Sequence, residues 1–469
     1  MRRLYALVAL TALVLSGCAS SHRAAPRVTE VWRNQTITPI GQPVAVGDTL
    51  VVYGTVGREL YLYGVSPADG SIRWRQAASP SHTLTGSPFS PGVVDKRVAY
   101  FRPDPKVVGA VRLVVANPED GNDLLVSDPA VFYSQPRECS DGKDVCLNAA
   151  DGRGGMGPVR FSVTAHGVVA DPSPPPPGSR YLGENLLDLG ERQPEVLAGF
   201  HDGVVQWRMS LSRFFSPGHT SDIGWYFELF KADHLHVGSV GYPADRSDPS
   251  VVVRDLATGE TSAIDATSGV PVWRDEGTKL GCDANIDVER SVADGRWEPW
   301  PVRCRYQGTA RYDQQGAASY QGLDVTIEGF DVPTGRTTWS VPLGAAQAFM
   351  DVEKPPATVS ESEVLVQAAK GPLIVDLATG KSRRPAKGVA FWCRTEVLFD
   401  YHEPGAAVGS TTSQRRGGRL LDTCAADGSH SASLPSYIGE QVGAKAGGRT
   451  VVGTAQGLVA YERATPPTH

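Results

Sequence analysis

Three features are scarce in this chain: segments with helical periodicity, long apolar runs and basic charge. After the first 17 residues, no segment repeats its apolar positions at helical spacing, and none is long and apolar enough to cross a membrane. The formal net charge of −6 argues against a nucleic-acid surface, because such a surface needs clustered Lys and Arg. With 51 Gly and 35 Pro but only 4 Met among 469 residues, the composition favours β-structure with many loops.

Signatures of catalysis and metal binding are missing as well. The sequence contains no G-x-S-x-G, H-E-x-x-H, Walker A or EF-hand pattern. No two cysteines stand at the C-x-x-C spacing that zinc sites use. His234 and His236 would share one face of a strand, but without an identifiable third ligand we interpret them as ordinary polar positions. We therefore predict no catalytic residue, no metal site and no cofactor.

The first 18 residues resemble the export signal of a bacterial lipoprotein. Two arginines at 2–3 precede an apolar, uncharged stretch over 4–15, which suits a secretory signal and is too short for a stable membrane helix. The sequence LSGC at 15–18 is similar to a lipobox, in which the Cys thiol receives the lipid. We predict a signal peptide over 1–17 and acylation of Cys18. The alternative is an ordinary secretion signal with a chance Cys.

The remaining cysteines are even in number, which in an exported protein indicates disulfides. Seven cysteines are present, and removing Cys18 leaves six that form three close pairs along the chain. The spacing favours pairing between near neighbours, although other connectivities are open. The predicted disulfides are Cys139–Cys146, Cys282–Cys304 and Cys393–Cys424.

A short phrase recurs through the chain. It begins with Asp or Asn, continues with two residues and Thr, Ser or Asp before Gly, and ends three residues later in Trp or another large residue. The Asp or Asn can close a turn by accepting backbone hydrogen bonds, and the Gly can supply a positive φ. The Trp can then pack on a neighbouring sheet. The positions predicted to be structural are Asp69, Gly70, Trp74, Asp265, Gly269, Trp273, Asp331, Gly335, Trp339, Asp376 and Gly380.

Short runs rich in Val, Leu and Tyr lie between these turns and read as β-strands. The phrase Asp-x-x-Thr-Gly-x-x-x-Trp resembles the repeat of the quinoprotein-like (PQQ-like) β-propellers. That family includes PQQ-dependent alcohol dehydrogenases and the BamB lipoproteins of outer-membrane protein assembly. The resemblance implies an all-β fold, a single propeller of four-stranded blades over 30–463, preceded by a lipidated tether over 18–29 and followed by a tail over 464–469.

The phrase can also be used as a ruler, because the position equivalent to its Trp marks the end of each blade. The positions equivalent to its Trp are Trp32, Trp74, Leu125, Trp207, Trp273, Trp339, Arg384 and Ala432. They predict eight blades, or seven if one weak phrase is not a blade, with the strand near Trp32 closing the blade formed by residues near 450–461. The interval before Trp207 is too long for one blade. We interpret about 135–182, which contains a proline-rich stretch at 171–178, as a surface insertion.

The resemblance implies two kinds of function. The dehydrogenases use an adjacent Cys–Cys pair, which this chain lacks, so we expect no PQQ and no catalysis. The BamB branch implies a non-catalytic, extracytoplasmic lipoprotein that binds or scaffolds envelope or secreted proteins. The lipid on Cys18 would anchor the protein to a membrane, which would be the outer membrane if the host has one. We expect a monomer. A PQQ- or metal-dependent dehydrogenase remains the alternative.

A third possibility is carbohydrate or small-ligand binding. Four aromatic residues follow Cys282: Trp297, Trp300, Tyr306 and Tyr312. Exposed aromatics on a loop held by a disulfide could form a binding surface. Ordinary packing is the competing interpretation.

Overall fold

Nearly all regular structure in this chain is β-strand. The computed structural model describes residues 28–81, 89–139, 142–150, 156–165, 167–169, 176, 179–183, 185–192, 195–201, 204–217, 219, 225–245, 250–282, 286, 289–291, 297–351, 356–401, 414–439 and 442–463. These ranges contain 39 strands, one short α-helix, and two 3-10 helices over Leu256–Thr258 and Gln347–Phe349. No helix within them has the length and apolarity needed to span a bilayer.

The described strands form nine antiparallel sheets. Eight of them are the blades, which follow one another along the chain after β1 (Val28–Asn34), and the ninth is a two-stranded hairpin. Blade 1 contains β2 (Thr38–Pro39), β3 (Val44–Val46), β4 (Thr49–Val56), β5 (Glu59–Val65) and β6 (Ile72–Ala78). Blade 2 contains β7 (Gly92–Val94), β8 (Arg97–Pro103), β9 (Val111–Ala116) and β10 (Asp123–Val126). Blade 3 contains β11 (Arg137–Glu138), β12 (Val145–Ala150), β13 (Met156–Ser162) and β14 (Gly167–Val169). Blade 4 contains β15 (Arg180–Gly183), β16 (Leu186–Arg192), β17 (Glu195–His201) and β18 (Val204–Ser210), followed by α1 (Leu211–Phe214).

Among blades 5 to 8, blades 6 and 7 are the larger, with six strands each. Blade 5 contains β19 (Trp225–Phe230) and β20 (Leu235–Val240), and after β21 (Ala244–Asp245) and β22 (Val252–Asp255) it resumes with β23 (Glu260–Asp265) and β24 (Pro271–Glu276). Blade 6 contains β21, β22 and β25 (Thr278–Leu280), then, after a separate hairpin of β26 (Glu289–Ser291) and β27 (Trp297–Pro299), β28 (Val302–Tyr312), β29 (Ala318–Phe330) and β30 (Thr337–Gly344). Blade 7 contains β31 (Ala357–Thr358), β32 (Glu363–Ala368), β33 (Gly371–Asp376), β34 (Ser382–Arg383), β35 (Phe391–Asp400) and β36 (Gln414–Cys424). Blade 8 contains β37 (Ala444–Ala446), β38 (Arg449–Thr454), β39 (Gly457–Arg463) and β1.

Local sequence explains a typical blade. β4 and β5 are rich in Val, Leu and Tyr, which favour strands, and they pair from Leu50↔Val65 to Val56↔Glu59. A two-residue loop joins them and starts with Gly57, whose φ is +61°. Because a positive φ matches the twist of a two-residue hairpin, Gly at this position sets the register of the pair.

The two ends of the chain meet in blade 8. β1 pairs antiparallel with β39, from Val28↔Arg463 to Asn34↔Leu458. The N-terminal strand thereby completes a sheet that the C-terminal strands begin, and the series of blades closes. Both the count of eight and the closure near Trp32 are confirmed.

The ruler misplaced one blade. The segment about 135–182 is not a surface insertion, because β11 to β14 form blade 3 within it. Val145, Leu147 and Phe161 of this blade are buried against Phe101 of blade 2. The ruler has no position between Leu125 and Trp207, and the weak phrase of blade 3, at 148–156, has Met156 at the Trp position. Of the proline-rich stretch 171–178, only Pro176 is described.

The phrase ending at Ala432 does not mark a separate blade either. It follows a long hairpin, β35 and β36, which joins blade 7 through the pair Thr358↔Trp392. The far end of this hairpin reaches the first blades, where Phe399 packs with Phe89. Gly418 of the hairpin lies against Gly41 of blade 1. The pairing of β31 with β35 places this hairpin in blade 7. The spacing of the phrases along the sequence does not show which strands pair.

The apolar core lies between neighbouring blades. Leu50, Val52 and Tyr63 of blade 1 pack on Val451 and Leu458 of blade 8 in one such layer. Comparable layers join blades 2 and 3 and blades 6 and 7. Each blade therefore depends on both neighbours for burial of its faces, and the packing links the blades around the ring.

Candidate functional site

The Asp of the repeat phrase closes a turn, as predicted. The Asp265 carboxylate accepts hydrogen bonds from the backbone N–H groups of Thr267 at 3.1 Å and Ser268 at 2.6 Å. The hydroxyl and N–H of Ser268 hold the pKa of Asp265 below its ordinary value. Gly269 has φ +68° and donates to the Asp265 carbonyl at 2.9 Å. Asp376 accepts the corresponding bonds from Ala378 and Thr379, whereas Asp69 stands later in its turn and binds Ser71 instead.

The Trp of each phrase meets the Gly of the next blade. The Trp273 indole donates from Nε1 to the Val332 carbonyl at 2.7 Å and covers Gly335, where an added Cβ would lie 2.5 Å from the ring. We call this arrangement a wedge. Gly335 is thus required both for its φ of +68° and for the space it leaves. The other four wedges place Trp32 over Gly70, Trp74 over Gly121, Trp207 over Gly269 and Trp339 over Gly380.

A second glycine, which the sequence reasoning missed, supports three of the wedges from behind. Trp74 pairs across strands with Gly64, and the same relation joins Trp207 to Gly199 and Trp339 to Gly329. A side chain at any of these glycines would overlap the indole. The available signal was a Gly near the end of the strand before three of the phrases, at positions 64, 199 and 329.

The wedge is missing where the phrase of blade 7 faces the turn that follows β36. Arg384 occupies the Trp position of the phrase there, and the turn facing it contains Gly428, with φ +84°. This turn closes one residue tighter than the others, because Gly428 donates to the Ala425 carbonyl at 3.0 Å. An added Cβ on Gly428 would meet nothing within 4 Å. The turn is therefore left uncovered, unlike its five counterparts.

A cavity of about 480 Å³ lies at this place, and we call it the junction cleft. Its lining combines apolar walls with a few charged groups. It comprises Pro372, Arg384, Pro385, Ala386, Lys387, Gly388, Val389, Ala425, Ala426, Asp427, Ser431 and Ser433. Arg384 and Lys387 are both exposed. A flat apolar group with a nearby negative charge would match this lining.

No known protein family matches the sequence, and no curated protein matches it. Among solved structures, BamB from Moraxella catarrhalis is 12% identical with a TM-score of 0.33, over 93% of this chain and 99% of that one. The quinohemoprotein alcohol dehydrogenase ADHIIG from Pseudomonas putida HK5 is 12% identical with a TM-score of 0.39, over 79% of this chain and 72% of that one. A europium-containing methanol dehydrogenase is 11% identical with a TM-score of 0.35, over 80% of this chain and 86% of that one. At these identities the likeness concerns the fold alone.

The strand pairing and the wedges decide the fold. The chain is an eight-bladed β-propeller. The wedges explain why Gly and Trp recur at a fixed spacing in the phrase. The turn with the Gly packs on the preceding blade, whereas the Trp packs on the following blade.

A buried ion-pair network joins blades 5 and 6 of the propeller. Arg303 contacts Asp275 at 2.6 Å and Glu328 at 3.1 Å, and Arg305 contacts the same two carboxylates at 2.8 and 2.7 Å. Burial raises the pKa of Glu328, but the hydrogen bonds and charges of Arg305 and Arg303 outweigh it and leave the pKa below its ordinary value. Two cations therefore face two anions, and their attraction stabilises the contact between the two blades.

Of the aromatic residues after Cys282, the three whose side chains are described do not form an exposed binding surface. Tyr306 is 1% exposed and belongs to the core of blade 6. Trp300 is half-buried and donates from Nε1 to the Glu361 carbonyl at 3.1 Å. Tyr312 is half-buried under the guanidinium of Arg254. The Trp297 side chain lies outside the described residues. Packing is therefore the correct interpretation for Trp300 and Tyr306.

The two histidines have different surroundings. His234 lies in an exposed turn with φ +53°, and His236 is buried in β20. Across the part of the chain that the structure describes, no group of three or more His, Cys, Asp and Glu side chains is arranged to hold a metal ion.

The three predicted disulfides are present. Their Cα–Cα distances are 5.1 Å for Cys139–Cys146, 4.9 Å for Cys282–Cys304 and 5.8 Å for Cys393–Cys424. They lie within blades 3, 6 and 7, where each joins neighbouring strands or a strand and its adjoining loop. Cys18 and the signal segment lie outside the described residues.

Proposed function

We propose that this propeller is a lipid-anchored, extracytoplasmic and non-catalytic protein that binds or scaffolds other proteins of the cell envelope. The observation that carries the proposal is the set of three disulfides, because disulfides form and persist in oxidising, exported compartments. The lipobox-like sequence at 15–18 supplies the anchor. A closed ring of eight blades supplies a rigid platform whose loops can contact partners.

The repeat residues support a structural role. The Asp residues at 265 and 376 bind backbone N–H groups, and the Trp residues lie between blades. These side chains are engaged in holding the ring, so the phrase that resembles the dehydrogenase repeat is accounted for by architecture. Protein binding then rests on loops and on the junction cleft.

The anchor can be tested at one residue. Cys18→Ser removes the thiol that would carry the lipid, so we expect the protein to be released from membranes or to stay unprocessed. Metabolic labelling with an alkyne fatty acid, followed by fractionation, measures this. The matched control is Cys393→Ser with Cys424→Ser, which removes two disulfide-bonded cysteines but should keep the label. A Cys18→Ser protein that still takes up the fatty acid would show that the anchor lies elsewhere.

Binding and catalysis can be separated in two assays. Formaldehyde crosslinking of intact envelopes should join the lipidated protein to specific protein partners, identified by mass spectrometry. The purified protein given PQQ, Ca²⁺ and primary alcohols should not reduce an electron-accepting dye. Dye reduction that depends on PQQ would overturn the non-catalytic assignment, and crosslinked envelopes that yield the protein alone would overturn the scaffold assignment.

A further inference from the structure

We propose that the junction cleft binds an aromatic side chain that is flanked by a carboxylate in a partner protein. This deepens the proposed function, on which it rests. The first argument comes from the repeat itself. At five junctions among the described residues, an indole covers the glycine of the facing turn. In the turn beside the cleft, Gly428 is exposed and no indole covers it, while Ala425, Ala426 and Asp427 of the same turn line the cleft together with Arg384.

The chain's own side chain at this position is held away from the facing turn. Arg384 Nη1 bonds the Pro372 carbonyl at 3.4 Å on its own blade and lies against Gly371. The neighbouring Arg383 is engaged in an ion pair with Glu363. Gln367 donates to the Ala426 carbonyl at 2.8 Å, which ties the facing turn to blade 7 without an indole. The two walls are therefore held apart by bonds that leave the space between them open.

The lining selects the chemistry of the occupant. Pro372, Pro385 and Ala425 provide flat apolar walls, and Val389 is 38% exposed beside them. The Arg384 guanidinium at the edge can stack on an aromatic face. The size of the cleft falls in the range of ordinary ligand pockets. An aromatic ring fits these walls better than an aliphatic chain because proline and guanidinium surfaces are flat.

Charge adds a second criterion. Arg384 and Lys387 place two cations at the cleft against the single carboxylate of Asp427. A carboxylate next to the aromatic residue of the partner would complement the excess positive charge. Basic flanks would be disfavoured for the same reason. The expected motif is therefore a Trp, Tyr or Phe with Asp or Glu beside it in an exposed segment of the partner.

The test uses three short peptides, two of which carry a fluorine probe. Acetyl-Glu-(5-fluoro-Trp)-Glu-amide should show a saturable ¹⁹F shift with the full-length protein. The same peptide with Lys in place of both Glu should bind at least tenfold more weakly, and unlabelled Glu-Ala-Glu should fail to compete. Equal competition by Glu-Ala-Glu would show that the aromatic ring is not recognised and would overturn the proposal.

Three variants locate the binding. Arg384→Trp restores the wedge residue, so it should raise the melting temperature and abolish the shift. Arg384→Ala keeps the cleft open but removes one cation, so it should weaken binding about threefold. Arg383→Ala removes the same charge one residue away and should leave binding unchanged. Should Arg384→Trp fail to fold, Ala425→Trp fills the cleft from the opposite wall. Unaltered peptide binding in a folded, filled variant would overturn the proposal.

The same variants separate this inference from the proposed function. If envelope crosslinks persist in Arg384→Trp while the wild type binds no peptide, the scaffold assignment stands and the cleft assignment fails. If the crosslinks and the peptide shift are lost together in Arg384→Trp, both are supported.

Discussion

Replacing Trp74 by Ala should destabilise the entire ring by about 3–5 kcal/mol. Trp74 is 8% exposed and lies between Gly64 of its own blade and Gly121 of blade 2. Its Nε1 also donates to the Pro118 carbonyl at 2.8 Å. Neither glycine has a side chain that can move into the space left by the indole, so a cavity would remain and the carbonyl would lose its partner.

The loss should appear as one cooperative transition, because each blade buries its faces on both neighbours. Denaturant unfolding followed by circular dichroism measures it. The matched control is Trp300→Ala, which also removes an indole and its bond to the Glu361 carbonyl. Trp300 is half-buried at the core shared by blades 6 and 7, so its loss should cost about half as much or less. Equal losses, or separate melting of blade 1, would contradict the wedge as the element that couples the blades.

Replacing Glu328 by Gln should cost about 3–5 kcal/mol at neutral pH, because it leaves two buried or half-buried arginines with one carboxylate. Arg303 is 1% exposed and would keep Asp275 as its one carboxylate partner within the network. The pKa of Glu328 is lowered in the folded protein. A lowered pKa stabilises the fold above the unfolded value of about 4.3. That contribution disappears as the pH falls through the folded pKa.

The stability gap between the wild type and Glu328→Gln should therefore be full at pH 7 and should shrink as the pH falls below about 4. Chemical unfolding at a series of pH values measures it. Glu363→Gln is the control, since its ion pair with Arg383 is exposed and should contribute no more than about 1 kcal/mol. A gap that stays constant down to pH 3 would show that the charge of Glu328 does not stabilise the junction.

The repeat phrase determined much of the fold by itself. It encodes contacts between residues two to four apart, such as Asp265 with Thr267 and Ser268. Turns, flanking strands and the six cysteines in close pairs could all be predicted, because these interactions are local in the chain. The blade count followed from counting phrases, with two errors that compensated each other.

Only the tertiary structure decided which residues meet across blades. Trp273 packs on Gly335 rather than on Gly269 of its own turn, and blade 3 forms without any Trp. The junction cleft likewise depends on where the turn with Gly428 lies relative to Arg384. The Trp273 contact joins residues about 60 positions apart in the chain. Blade 3 and the turn with Gly428 contain weak copies of the phrase. Their geometry is set by sheet packing and ring closure, which a local pattern does not encode.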